Sequence, residues 1–130
     1  MLSEVYDLEV LSNLFTYTGY CRTSKSWHQF VIHESQNDVV ELYNHLFRDQ
    51  LIMTGYNNES FDYPILHHLI NHYQEYKDLD GDTIARKLYE KAQSIIEEAY
   101  TAIADKNKFI RQIDLYKIHH FDGAAKSSSC

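Results

Sequence analysis

Leu51-Ile52-Met53-Thr54-Gly55-Tyr56-Asn57-Asn58-Glu59-Ser60-Phe61-Asp62-Tyr63-Pro64-Ile65-Leu66 is the stretch that decides the fold. Its first six residues are a short, nearly continuous apolar run, which suits a strand buried on both faces and therefore a parallel pairing. A polar loop follows, and an aspartate stands just before Pro64. A helix can begin there, because proline's missing N–H costs nothing in the first turn. Ile65, Leu66, Leu69, Ile70 and Tyr73 then recur at the spacing of one buried helical face. In open α/β sheets, ligands gather beyond the carboxyl ends of the strands, so Asp62 lies where a site is expected. Aspartate is equally suited to cap a helix N-terminus, and the residues alone leave both roles open.

Upstream, residues 5–11 alternate as a strand, with Val5, Asp7, Glu9 and Leu11 on one face and Tyr6, Leu8 and Val10 on the other. Residues 14–22 and 26–33 are rich in aromatic and β-branched side chains around a polar break at 23–25, and they read as two further strands of an antiparallel meander. Gly19 inside the second predicts a bulge or bend. Ser35-Gln36-Asn37-Asp38 fits a capping box, and Val39, Leu42, Tyr43, Leu46 and Phe47 behind it predict an amphipathic helix. Downstream, Ile84, Leu88, Ile95, Ile96, Ala99 and Ile103 predict a helix over 83–104, and residues 109–118 a fifth strand. The order is three antiparallel strands, helix, strand, two helices, strand. It describes a single α/β domain over residues 1–130, of the ribonuclease-H-like kind: a three-strand antiparallel meander plus parallel strands, flanked by helices. That topology expects one more helix after the fifth strand. The chain runs instead into Ala124-Ala125-Lys126-Ser127-Ser128-Ser129-Cys130, so the final helix is expected to be missing.

With 130 residues and 44% hydrophobic content, the chain can bury a core without disulfides or a structural metal. Its cysteines, Cys21 and Cys130, have no zinc-knuckle spacing, which fits a reducing compartment. There is no apolar run near the roughly 20 residues of a membrane span. Met1-Leu2-Ser3-Glu4 does not resemble a signal peptide. A soluble, cytoplasmic protein is expected, with no membrane partner. The formal net charge of −7 argues against a binder that holds nucleic acid by neutralising phosphates. It does not argue against an enzyme that approaches phosphate through divalent cations, which needs carboxylates to hold them. Lys106, Lys108, Arg111 and Lys117 gather near the C-terminus, as a guide for a strand of nucleic acid or simply as a solvated surface.

Asp7 and Glu9 are unusual in an otherwise apolar strand. Acids at i and i+2 share a face, repel each other and resist desolvation. A central strand accepts them most readily with a hard cation such as magnesium or manganese between them, and an edge strand accepts them facing water. Three other patterns lead nowhere. His68 and His72 have the i, i+4 spacing of a zinc pair, but there is no third ligand. Asp78-Leu79-Asp80-Gly81-Asp82 is similar to a calcium loop but has Thr83 and Tyr89 where the sixth-position glycine and twelfth-position glutamate belong, so a turn feeding an Asp82 helix cap is expected. No phosphate-binding glycine loop or nucleophile elbow is present.

Tyr6-Asp7-Leu8-Glu9 resembles the first motif, D-x-E, of the DEDD 3′–5′ exonucleases. Gly55-Tyr56-Asn57 followed by Phe61-Asp62 resembles their second motif, in the N-x-x-x-F-D form of family B DNA polymerases. Ile113-Asp114-Leu115-Tyr116 resembles the non-catalytic strand between the second and third motifs. The resemblance spans nearly the whole chain and is of the phage type, which would put the protein in the host cytoplasm. It implies a metal-dependent exonuclease removing nucleotides from DNA 3′ ends, associated with proofreading or replication. Asp7, Glu9 and Asp62 would be its catalytic metal ligands for two Mg2+ or Mn2+ ions. Asp7 would bridge the ions, Glu9 would hold the water-activating one and Asp62 the other. Asn57 and Phe61 would bind substrate, Phe61 by stacking, although core packing suits Phe61 equally. The partner would be a single-stranded DNA 3′ end, with the remainder of a polymerase as a further possible partner.

The family's third motif, with a fourth aspartate and a Tyr or His that orients water, would follow the last strand, beyond Cys130. The internal match Tyr76-Lys77-Asp78-Leu79-Asp80 comes before that strand and at a helix end. Three of the four acids predict weak or absent turnover from these residues. The alternative is a non-catalytic ribonuclease-H-like structural or interaction module.

Overall fold

The computed structural model describes residues 2–47, 51–98 and 103–116. Strands β1 (Leu2–Leu11), β2 (Leu14–Cys21) and β3 (Ser26–His33) form the expected meander, and a two-residue β4 (Gln36–Asn37) extends it. Helix α1 (Val39–Leu46) leads to β5 (Leu51–Gly55), and a π-helical turn at Asn58–Asp62 enters α2 (Tyr63–Asn71). A single-turn α3 (Tyr73–Tyr76), α4 (Gly81–Glu97) and β6 (Arg111–Asp114) follow. The six strands make one mixed sheet in the order β4-β3-β2-β1-β5-β6. Pairing is antiparallel from β4 to β1 and parallel from β1 through β5 to β6.

The alternation read from β1 holds and extends to Glu4: Glu4, Tyr6 and Leu8 are buried, while Val5, Asp7 and Glu9 are exposed. Tyr6, Leu8, Phe15, Tyr17 and Ile32 of the sheet share a core with Leu42 and Leu46 of α1, Leu66 and Leu69 of α2, and Ile84 and Leu88 of α4. Each large aliphatic side chain so buried contributes about 1.5–3 kcal/mol. β5 is buried at Leu51, Met53, Thr54 and Gly55, as a strand paired in parallel on both sides should be.

Several local expectations give way. Gly19 makes no bulge; it pairs in regular register with Tyr6 and His28. A Cβ there would lie 2.6 Å from a Glu4 carboxylate oxygen, so the glycine makes room for that side chain. The capping box over Ser35–Asp38 does not form. Asp38 bonds back to the Val31 N–H at 3.0 Å, and Asn37 Oδ1 receives the Val39 N–H at 3.2 Å. Pairing of Gln36 and Asn37 with β3 holds those residues extended, which a local capping signal does not anticipate. In α1, Phe47 is exposed and His45 takes a buried place instead. Asp80, not Asp82, caps α4, accepting the Thr83 N–H at 2.7 Å; Asp82 lies inside the first turn and pairs with Arg86. α4 ends at Glu97, where the backbone turns extended at Glu98. Ile96 is 64% exposed, Ile103 is outside the helix, and Ala99 lies outside the described residues. β6 is shorter than expected, with Leu115 and Tyr116 beyond it and Lys117 and Ile118 outside the described residues. No helix among the described residues is long and apolar enough to cross a membrane.

Candidate metal centre

The strand–loop–helix unit that carries Asp62 is shaped by a distant carboxylate. Asp114, buried at the end of β6, accepts the N–H of Asn57 at 2.8 Å, of Glu59 at 3.2 Å and of Tyr116 at 2.9 Å. These bonds hold Asn57 in a left-handed conformation (φ 58°), from which the chain enters the π-turn. The buried Asn58 amide ties the turn to both parallel strands. With its nitrogen toward the Gly55 and Ile113 carbonyls it donates to each at 3.2 Å, and Gln112 lies 2.9 Å from it. The Tyr6 hydroxyl lies 2.8 Å from the same Gln112 side chain, locking the turn to β1. A π-turn widens the backbone by one residue per turn, and such turns are often found at functional sites.

Asp62 closes that turn with helical backbone angles and makes no side-chain capping bond, so the helix-cap role left open by the sequence is removed. The residue is only 7% exposed. Burial raises its pKa first and the negative charge of Asp7 next, against the Leu8 backbone N–H, which favours the charged form; the outcome is a pKa of about 7. Asp7 stands exposed on β1, opposite Thr18 of β2. The fold thus brings Asp7 and Asp62 within electrostatic reach of each other. Glu9, two residues further along β1 on the same exposed face, opposes Thr16.

Among the described residues, Asp7, Glu9 and Asp62 do not converge to within 4.8 Å of one another as a set; Glu4, His28 and His45 do. Asn57 is exposed and its N–H is used by Asp114. Phe61 is half-buried and packs against the core, so the packing role weighed for it is filled, with part of the ring still accessible. Lys108, one of the four basic residues read as a guide for nucleic acid, is tied to Glu59 and Asp105 with a 5% exposed side chain. Tyr76 and Asp80 of the internal third-motif match are engaged elsewhere, Tyr76 with His68 at 2.9 Å and Asp80 in its cap. His72 bonds the His68 carbonyl at 2.9 Å, and that histidine pair belongs to no three-ligand set among the described residues.

Glu4 lies one residue before the strand that the sequence pattern predicts over 5–11. Carried one residue earlier, period two places a carboxylate on the apolar Tyr6–Leu8 face, which is the signal that finds it.

Two carboxylates held near each other, one of them desolvated, are a donor set for a hard divalent cation, which takes oxygen ligands and relieves their repulsion. No family model, curated protein or solved structure matches this chain.

Proposed function

We propose that the protein is a metal-dependent 3′–5′ exonuclease of the DEDD type, with a ribonuclease-H-like sheet, acting on single-stranded DNA 3′ ends. The observation that carries this reading is the buried, non-capping Asp62 at the carboxyl end of a parallel strand, its pKa raised by burial and then by the charge of Asp7 on the neighbouring strand. The mixed sheet, antiparallel on one side and parallel on the other, supports it. So does Asp114, whose three backbone hydrogen bonds suit the structural position it matches in the family B resemblance.

In this reading Asp7, Glu9 and Asp62 hold two Mg2+ or Mn2+ ions, which when bound supply an activated water and neutralise charge on the leaving 3′ oxygen. Asp62 must be ionised to take part, and its raised pKa means it gives up a proton near neutrality when a cation arrives. Asn57 and the accessible part of Phe61 face the terminal nucleotide, where stacking on an aromatic ring contributes about 1–3 kcal/mol per base. A terminal base must leave its stack to reach a site at strand ends, so frayed ends are preferred over matched duplex ends.

A non-catalytic module is the competing reading, and one observation favours it: the three acids are not gathered as closely as ligands of a shared ion. An end-labelled ladder separates the two. With a 5′ label and Mn2+, the exonuclease reading expects slow stepwise shortening from the 3′ end, faster on frayed than on matched termini and abolished in Asp62→Ala. Interior cleavage, or full activity in Asp62→Ala, would contradict it.

A further inference from the structure

A second polar centre lies in the core, on the opposite face of β1 from Asp7. Glu4 is fully buried. It leans over Gly19, where any side chain would collide with it. Its Oε2 receives the Tyr17 hydroxyl and lies 2.7 Å from Nε2 of His45, which descends from α1 and is 7% exposed. His28, the β3 partner of Gly19, completes the group, its ring centred 4.5 Å from that of His45. One ligand atom from each of Glu4, His28 and His45 lies within 4.8 Å of the others.

Burying a carboxylate costs several kcal/mol unless it is compensated. One imidazole and one phenol already supply hydrogen-bond partners for that. A second imidazole, and a glycine that clears the path between strands, go beyond what an ion pair requires. Two imidazoles and a carboxylate are a borderline N2O donor set, suited to zinc or another late first-row divalent ion rather than to magnesium. Tetrahedral bonds of about 2.0–2.1 Å set donors about 3.3 Å apart. The 2.7 Å His45–Glu4 separation and the 4.8 Å limit of the group bracket that spacing, so small side-chain shifts suffice. Outer partners that orient the ligands are in place: Tyr17 on Glu4, and Ser26 Oγ at 3.1 Å from His28 Nε2.

The geometry points to a Zn2+-type site in which Glu4, His28 and His45 supply three ligands and a water the fourth, pinning β1, β3 and α1 together. It is separate from the Asp7–Asp62 centre in place and in metal preference.

The test uses the full 130-residue chain stripped with a chelator. Zn2+ is titrated against a chromophoric competitor, melting is followed with and without Zn2+, and Co2+ serves as a spectroscopic probe. Expected are one equivalent of Zn2+ bound, a higher melting temperature with Zn2+, and the intense visible bands of four-coordinate Co2+. His28→Gln, at a half-buried position, should keep the far-ultraviolet dichroism of the fold, weaken Zn2+ at least about 10–100-fold and abolish the Co2+ bands. Asp7→Asn should change none of these, which keeps the outcome independent of the nuclease reading. Zn2+ affinity unchanged in His28→Gln, weak six-coordinate Co2+ spectra, or loss of Zn2+ in Asp7→Asn would each overturn the assignment. If His28→Gln itself does not fold, the Co2+ spectrum of the unmutated chain decides.

Discussion

Asp62 and His68 push stability in opposite directions over the same range of pH. Burial, followed by the charge of Asp7, raises Asp62 to about 7. The metal-free folded state therefore holds a proton there that the unfolded chain has released. Stability from this residue is full below about pH 4 and falls as pH rises toward 7, by at most about 4 kcal/mol. Burial, then the charge of His72, lowers His68 to about 4. The unfolded chain takes up that proton first, so stability falls as pH drops from about 6.5 to 4. The two slopes partly cancel in the unmutated protein. Urea unfolding should show Asp62→Asn more stable at pH 8 but little changed at pH 4, with a steeper decline on acidification; equal stability at both pH values would mean that Asp62 is not held as described. Gly19 offers a second test at this scale. A methyl group placed 2.6 Å from Glu4 must displace a buried, bonded carboxylate, so Gly19→Ala should cost about 1–3 kcal/mol or more. A calorimetric melt unchanged from the parent would show that Glu4 moves aside freely. Period two marks Glu4 as inward-facing, but the role of Gly19 has no such local signal, because it depends on the side chain that the neighbouring strand brings overhead.

At the scale of elements, strands were legible and ends were not. Period-two alternation in β1 and the apolar run of β5 report burial directly, because a strand's side chains alternate whatever its partners are. The π-turn at Asn58–Asp62 has no such signature: Asp114, 52 to 57 residues further along the chain, holds it through the N–H groups of Asn57 and Glu59. α4 shows the same limit. Its buried stripe of Ile84 and Leu88 was readable, but Asp80 rather than Asp82 begins it, because the helix starts at Gly81. That glycine is dictated by contact. A Cβ would lie 2.0 Å from the His33 carbonyl oxygen, a backbone atom at the end of β3 that cannot swing away. Gly81→Ala should therefore cost at least about 3 kcal/mol, against a gain of up to about 1 kcal/mol expected from helix propensity alone. Chemical denaturation that found the variant as stable as the parent would mean that α4 does not dock as tightly on the sheet as described.

For the whole molecule, the order of the six strands turns two distant sequence motifs into one place. β1 sits between the antiparallel and parallel halves of the sheet, and β5 lies beside it, so the turn leaving β5 carries Asp62 toward Asp7. The α/β class and the meander were legible because hydrophobic period and element order constrain topology. That Asp7, Glu9 and Asp62 do not gather as a set was not legible, since spacing along one strand does not fix reach to another. The claim that rests on this architecture is that Asp7 and Asp62 share a divalent ion, and manganese electron paramagnetic resonance tests it directly, because bound Mn2+ loses the sharp signal of the free aqueous ion. Titrating Mn2+ should deplete that signal saturably in the unmutated chain and in His28→Gln. In Asp7→Asn and in Asp62→Asn the free-ion signal should persist at full strength. Depletion by Asp7→Asn equal to that of the unmutated chain would contradict the shared site.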